Sequence, residues 1–183
     1  MTYYGPKELA AAFRTVRGNT IKIAEEIPEE KYGFRAAPET RSVAETLAHI
    51  AIMTRVAQQI HFVEKRSTLV GFDFFKLMGE LIADGAKPRT KAEILDLLKT
   101  EGEKFAAQLE GCSEAFLGET VTYPEGMMPP TKSRFEMLLS PKEHEMHHRG
   151  QLMLIQRILG QTPPLTRQMQ ERIAAMAAAQ KQA

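Results

Sequence analysis

Tryptophan is missing from this chain of 183 residues, and cysteine occurs once, at Cys112. One thiol cannot close an intramolecular disulfide, and a zinc site built on thiolates needs several, so both are excluded. An excess of one charge is lacking as well. Lys and Arg number 24 against 23 Asp and Glu, a formal net charge of +1, and no basic run offers a footprint for a polyanion. Nucleic acid is therefore not an expected partner. No apolar run is long enough to span a bilayer, and residues 1–12 carry Lys7 and Glu8 where a secretory signal needs an apolar core. The expected address is the cytoplasm, away from membranes. What is present, 43% hydrophobic and 26% charged residues, is the composition of one ordinary globular domain with room for a core.

The apolar residues recur at helical spacing. Leu9, Phe13, Val16, Thr20, Ile23 and Ile27 form one stripe that Pro28 stops. Ser42 and Glu45 make an S-x-x-E capping box, so a second helix starts near Val43 and runs to about Phe62. Residues 71–83 read as a short helix in a long crossover. Thr90 and Glu93 repeat the capping box ahead of the stripe Ile94, Leu98, Phe105 and Leu109, which Gly111 ends. Residues 113–131, with Gly118, Pro124, Gly126, Pro129 and Pro130, read as loop with a few extended residues at most. From there to Gly160 the pattern is helical. Pro141 either starts a fresh helix after Ser140 or kinks a continuous one; the stripe Met137, His144, His148, Gln151, Ile155 favours continuity. The expectation is an all-α four-helix bundle with a long crossover, residues 1–165, followed by a C-terminal helix or tail, residues 166–183. Gly150 inside the last long helix suggests a close helix approach. Cys112 reads as a helix-end filler.

Three of the five histidines lie in HEMHHRGQ, residues 144–151. His144 and His148 sit about 40° apart on a helix, one turn from each other, so two imidazoles can meet one ion. Residues 144–148 also spell H-E-x-x-H, but Glu145 lies about 100° round from His144, and no histidine follows His148 to complete a protease site. A third ligand has to come from upstream, His49 or His61. His49 shares its helix face with Thr46, Met53, Val56 and Ile60; His61 lies about 120° away from it. Buried neighbouring imidazoles cost free energy unless their nitrogens are partnered, and a metal ion partners both at once. His147, Gln151 and Glu145 stand as pocket or outer-layer candidates. Glu45 reads as a cap, and Met127 and Met128 as a pocket rim or the cover of a core end.

RSVAETLAHIA, HEMHHRGQ and RILGQTPP together carry a likeness that spans most of residues 6–165. The chain resembles the DinB-like (damage-inducible) superfamily of metal-binding four-helix bundles. That resemblance implies a divalent metal held by His49, His144 and His148, nickel or zinc first. Iron, cobalt and copper also suit an all-imidazole set. It further implies transfer of a low-molecular-weight thiol to an electrophile, or a related thiol-dependent reaction such as thiol-assisted isomerisation, with a small-molecule thiol and an electrophile as partners. Two other readings stay open: a non-enzymatic, stress-related metal-binding protein, and a metal-dependent hydrolase. No residue beyond the ligands is assigned to catalysis. A homodimer is expected, from the resemblance and from a near-zero net charge that gives little repulsion between copies.

Overall fold

In the computed structural model, which describes residues 4–180, four long helices make the bundle. They are α1 (Pro6–Glu26), α2 (Val43–Gln58), α4 (Lys91–Glu110) and α6 (Arg134–Ile158). A shorter α3 (Phe74–Gly85) lies in the crossover, α5 (Glu114–Gly118) follows α4, and α7 (Pro164–Gln180) extends the chain. Side chains satisfy the free N–H groups at the helix starts. Ser42 accepts from the Glu45 amide while Glu45 accepts from the Ser42 amide, and Thr90 with Glu93 does the same for α4. Ser133 with Glu136 caps α6, a third box. Beyond α2 the helix continues through one π turn, Gln59–Val63.

Pairing of side chains fixes the helix directions. His49 meets His144, and His61, at the far end of the same helix, meets Arg134, so α2 and α6 are antiparallel. Leu9 clusters with Leu138, Arg17 pairs with Glu145 and Ile23 clusters with Leu152, so α1 and α6 are parallel. Phe13 packs edge-on against Phe105 while Ile23 clusters with Ile94, so α1 and α4 are antiparallel. Each of α1 and α2 packs on both α4 and α6, giving a ring α1, α4, α2, α6. It follows that α2 and α4 are parallel neighbours. Parallel neighbours cannot be joined by a tight turn; the chain must travel the full length back, and residues 59–90 with α3 do so.

The core is in two parts. Ile23, Leu47, Ile94 and Leu152 centre one cluster; Leu9, Phe13, Phe105 and Leu138 centre the other. Between them lies a layer of buried polar groups, among them Arg17, Thr54, Glu101 and Glu145. Those groups are paired, as buried charges must be.

Two expectations are corrected and a third is borne out. Residues 113–131 contain the few extended residues expected but also a short helix. They hold α5 and strand β1 (Thr120–Thr122), which pairs antiparallel with β2 (Thr131–Ser133). Strands of three residues are too short to show an alternating pattern against so many breakers. Gly150 has no close neighbour: a Cβ there meets nothing within 4 Å, so no helix packs against it. The continuity favoured across Pro141 is borne out: it lies inside one unbroken helix, where it deprives the Met137 carbonyl of its usual N–H partner. No helix among the described residues is long and apolar enough to cross a membrane.

Candidate metal centre

His49, His144 and His148 converge although 95 positions separate the first two. Nε2 of His144 lies 3.1 Å from Nε2 of His49 and 3.1 Å from Nε2 of His148. Two imidazoles on one ion at about 2.0–2.1 Å place their nitrogens about 2.9–3.4 Å apart for octahedral or tetrahedral angles. The observed separations fall inside that range. Nδ1 of His148 donates to Oε1 of Gln151 at 2.7 Å, which leaves the His148 Nε2 lone pair facing the centre. The Gln151 amide in turn donates to Nε2 of His147 at 3.3 Å. Gln151 and His147 thus form a layer behind the cluster, and His147 itself is exposed at the surface.

Electrostatics keep the three rings neutral. Burial pushes His49 down to about 3, helped by the positive Arg41 and by the other two histidines. Burial also lowers His144 to about 4, with the neighbouring His148 and His147 adding to it. His148 is lowered by burial, against the opposing effect of its bond to Gln151. Protons are therefore poor occupants of the site at neutral pH, whereas a cation able to take lone pairs satisfies all three nitrogens. The donor set fits a divalent metal of borderline softness. Among the described residues the cluster includes no carboxylate.

Glu145, set beside the cluster in the H-E-x-x-H spelling, faces the other way. It is 1% exposed and takes both Nε and Nη2 of Arg17 at 3.0 and 2.9 Å. Arg17 continues to the carbonyls of Leu98 and Ile50 at 2.7 and 3.3 Å. One guanidinium on α1 thereby ties α4 to the residues next to His49 and His144. Gly102 makes room for it, since a Cβ there would stand 2.7 Å from Arg17 Cγ. Sequence reading missed Arg17, yet a signal existed: a charged side chain beside Val16 on the stripe Phe13, Val16, Thr20.

His61 stays apart from the cluster. It is buried, and its Nδ1 accepts from the Arg134 guanidinium at 3.1 Å. Glu45 serves the cap of α2 and pairs with Arg35 at 2.7 Å. The Cys112 thiol donates to the Gln108 carbonyl at 3.3 Å, and burial raises it, so it is not poised as a thiolate. A cavity of about 670 Å³ opens beside His144, with Met127 at its rim.

Four long helices with three imidazoles drawn from two of them define a helical-bundle protein built around a candidate metal centre. The chain belongs to the DinB superfamily, whose sequence profile matches residues 12–152. It is similar to YjoA of Bacillus subtilis, 25% identical over 162 residues that cover 85% of this chain and 91% of that one. The crystal structure of that DinB-like protein superposes with a TM-score of 0.61 at 24% identity, covering 85% of this chain and 94% of that chain. A Streptococcus pneumoniae protein gives 0.67 at 19% identity, over 86% of this chain and 93% of its own. YfiT of Bacillus subtilis, described as a probable metal-dependent hydrolase with an unusual four-helix bundle topology, gives 0.65 at 13% identity, over 88% and 91%. At those identities the three structures establish the shared fold alone.

Proposed function

We propose that the protein is a divalent-metal-dependent enzyme that transfers a low-molecular-weight thiol to an electrophile. Nickel or zinc is the proposed ion. The observation that carries the reading is the convergence of three neutral Nε2 atoms with no carboxylate among them. Held this way, a divalent cation keeps its full charge and open positions, and supplies the Lewis acidity that ionises a small nucleophile near neutral pH. The residues do the rest. Gln151 holds His148 in the tautomer that points Nε2 inward. Arg41 adds positive potential that favours an anionic nucleophile over its conjugate acid. With Glu145 committed to Arg17, no carboxylate base stands in the histidine cluster among the described residues; a thiol, already acidic, needs none. The thiol gives its proton to solvent, its sulfur forms a bond to the electrophilic carbon, and the leaving group departs with the bonding pair.

Hydrolysis, with water in place of the thiol, is the second reading, and the likeness to YfiT favours it. A purely metal-binding, stress-related role is the third. The test is protein purified without a metal-binding tag, analysed for bound elements, and then supplied with small thiols and 1-chloro-2,4-dinitrobenzene, or with 4-nitrophenyl acetate alone. Thiol consumption that needs bound metal and survives Cys112→Ser supports the proposal. Ester cleavage without thiol moves the assignment to a hydrolase, and metal-loaded protein inert in both assays moves it to a binding protein.

A further inference from the structure

The cavity beside His144 follows the helix faces that lead away from the histidines. On α2, Met53, Val56, Ala57 and Ile60 lie four, seven, eight and eleven residues beyond His49, one continuous stripe. On antiparallel α6, Pro141, Ser140 and Met137 lie three, four and seven residues before His144. At 1.5 Å per residue, the walls run about 10 Å along α6, from Met137 to His144, and about 10 Å along α2, from Met53 to Ile60. Pro141 lies on this wall and adds its apolar ring to the lining. The crossover and the loop between β1 and β2 roof it, with Phe72, Met78 and Pro124. Its volume, about 670 Å³, suits a small molecule rather than water alone.

The far end carries charges of opposite sign, Lys132 and Glu136 lining it, and the rest of the lining there carries no charge. Arg134, always protonated, donates to Nδ1 of His61, so the His61 proton sits on Nε2 and the ring is a neutral donor. The charge of Arg134 is answered by Glu119 at 2.8 Å. Glu136 is engaged at the α6 cap by the Ser133 amide and hydroxyl, both at 2.9 Å, and it faces the opposite charge of Lys132. At the rim, Phe75 is 89% exposed and Met127 49%, apolar groups held in water beside an apolar cavity. Four lining methionines, Met53, Met78, Met127 and Met137, can shift to fit a flexible chain.

We propose that this cavity is the substrate channel of the histidine site and takes an elongated, uncharged apolar molecule, an alkyl or acyl chain, with its reactive end at His144. The proposal rests on the reading of that site as catalytic, but its test does not depend on metal. Binding of the neutral fluorescent probe N-phenyl-1-naphthylamine to the full chain is followed, then its displacement by primary alcohols from hexanol to dodecanol. Saturable binding is expected, with displacement strengthening as the alcohol lengthens and levelling off once the channel is full. Val56→Trp, which fills the channel, should weaken the probe at least 10-fold, while the change Ile173→Ser on α7, away from the cavity, should leave it within 2-fold. Should Val56→Trp fail to fold, Phe72→Trp gives a lone indole on the wall of a tryptophan-free chain, whose emission must shift when decanol is added. Undiminished binding to folded Val56→Trp, loss that follows Ile173→Ser, or no emission shift with Phe72→Trp overturns the channel. Intact probe binding with no catalysis by the metal-loaded protein overturns the enzyme reading and leaves the channel standing.

Discussion

Arg17 and Glu145 meet across 128 positions of sequence and bury two opposite charges in the polar layer next to the histidines. Removing one partner strands the other, so Glu145→Ala should cost about 3–5 kcal/mol in denaturant unfolding. The paired change Arg17→Met with Glu145→Leu should recover most of that loss. Were Glu145 a catalytic base at the surface of the site, Glu145→Ala would lose activity and leave stability unchanged. A second expectation concerns acid. His61 is lowered to about 4 by burial and then by Arg134, against 6.5 for the free side chain. Between those values the unfolded chain takes up a proton that the native chain refuses, so this histidine makes stability fall as pH drops from 6.5 to about 4, and not further below. The contribution is on the order of 3 kcal/mol, and urea titrations of wild type and His61→Leu across that window should show it as a shallower acid slope in the variant. At this scale the sequence yields the His144–His148 pair, because four residues of helix fix it. It does not yield the Arg17–Glu145 contact, because nothing local encodes a partner two helices away.

Helix starts were the most legible elements, since a capping box is written in four consecutive residues. Ser42→Ala removes the acceptor for the Glu45 amide at the start of the helix that presents His49. It should cost about 1 kcal/mol and lower Tm without changing metal stoichiometry. Gly102 shows what local reading misses. An alanine in mid-helix gains about 1 kcal/mol of propensity, but here its Cβ meets Arg17 Cγ at 2.7 Å and Nη1 at 3.0 Å. Overpacking of that kind costs about 1–3 kcal/mol, so Gly102→Ala should be a net loss in thermal unfolding, whereas a gain in Tm would mean that Arg17 moves freely. The short β1–β2 pair and the π turn after α2 were not legible: three-residue strands carry no period, and a π turn differs from a helix by a single shifted hydrogen bond.

For the whole molecule, the fold class followed from helical periodicity, but the ring order did not. That α2 and α4 lie parallel and α1 lies diagonal to α2 depends on long-range packing alone, and the length of the crossover was its only trace in the sequence. Beyond the bundle, Met169, Ile173 and Met176 of α7 are 58, 57 and 61% exposed, and Leu154 and Ile158 of α6 are 57 and 55% exposed. We expect these faces to meet in a homodimer; sedimentation at high micromolar concentration should give a dimer that Ile173→Glu dissociates, and a wild-type monomer refutes it. The metal centre remains the claim from which the rest follows. Its most direct test is metal content per chain, by elemental analysis of tag-free protein, for wild type and for His49→Ala, His144→Ala, His148→Ala and His61→Ala. One divalent ion per chain is predicted for wild type and His61→Ala, with strong loss in each of the other three. Full metal content in His49→Ala would contradict the centre drawn from α2 and α6.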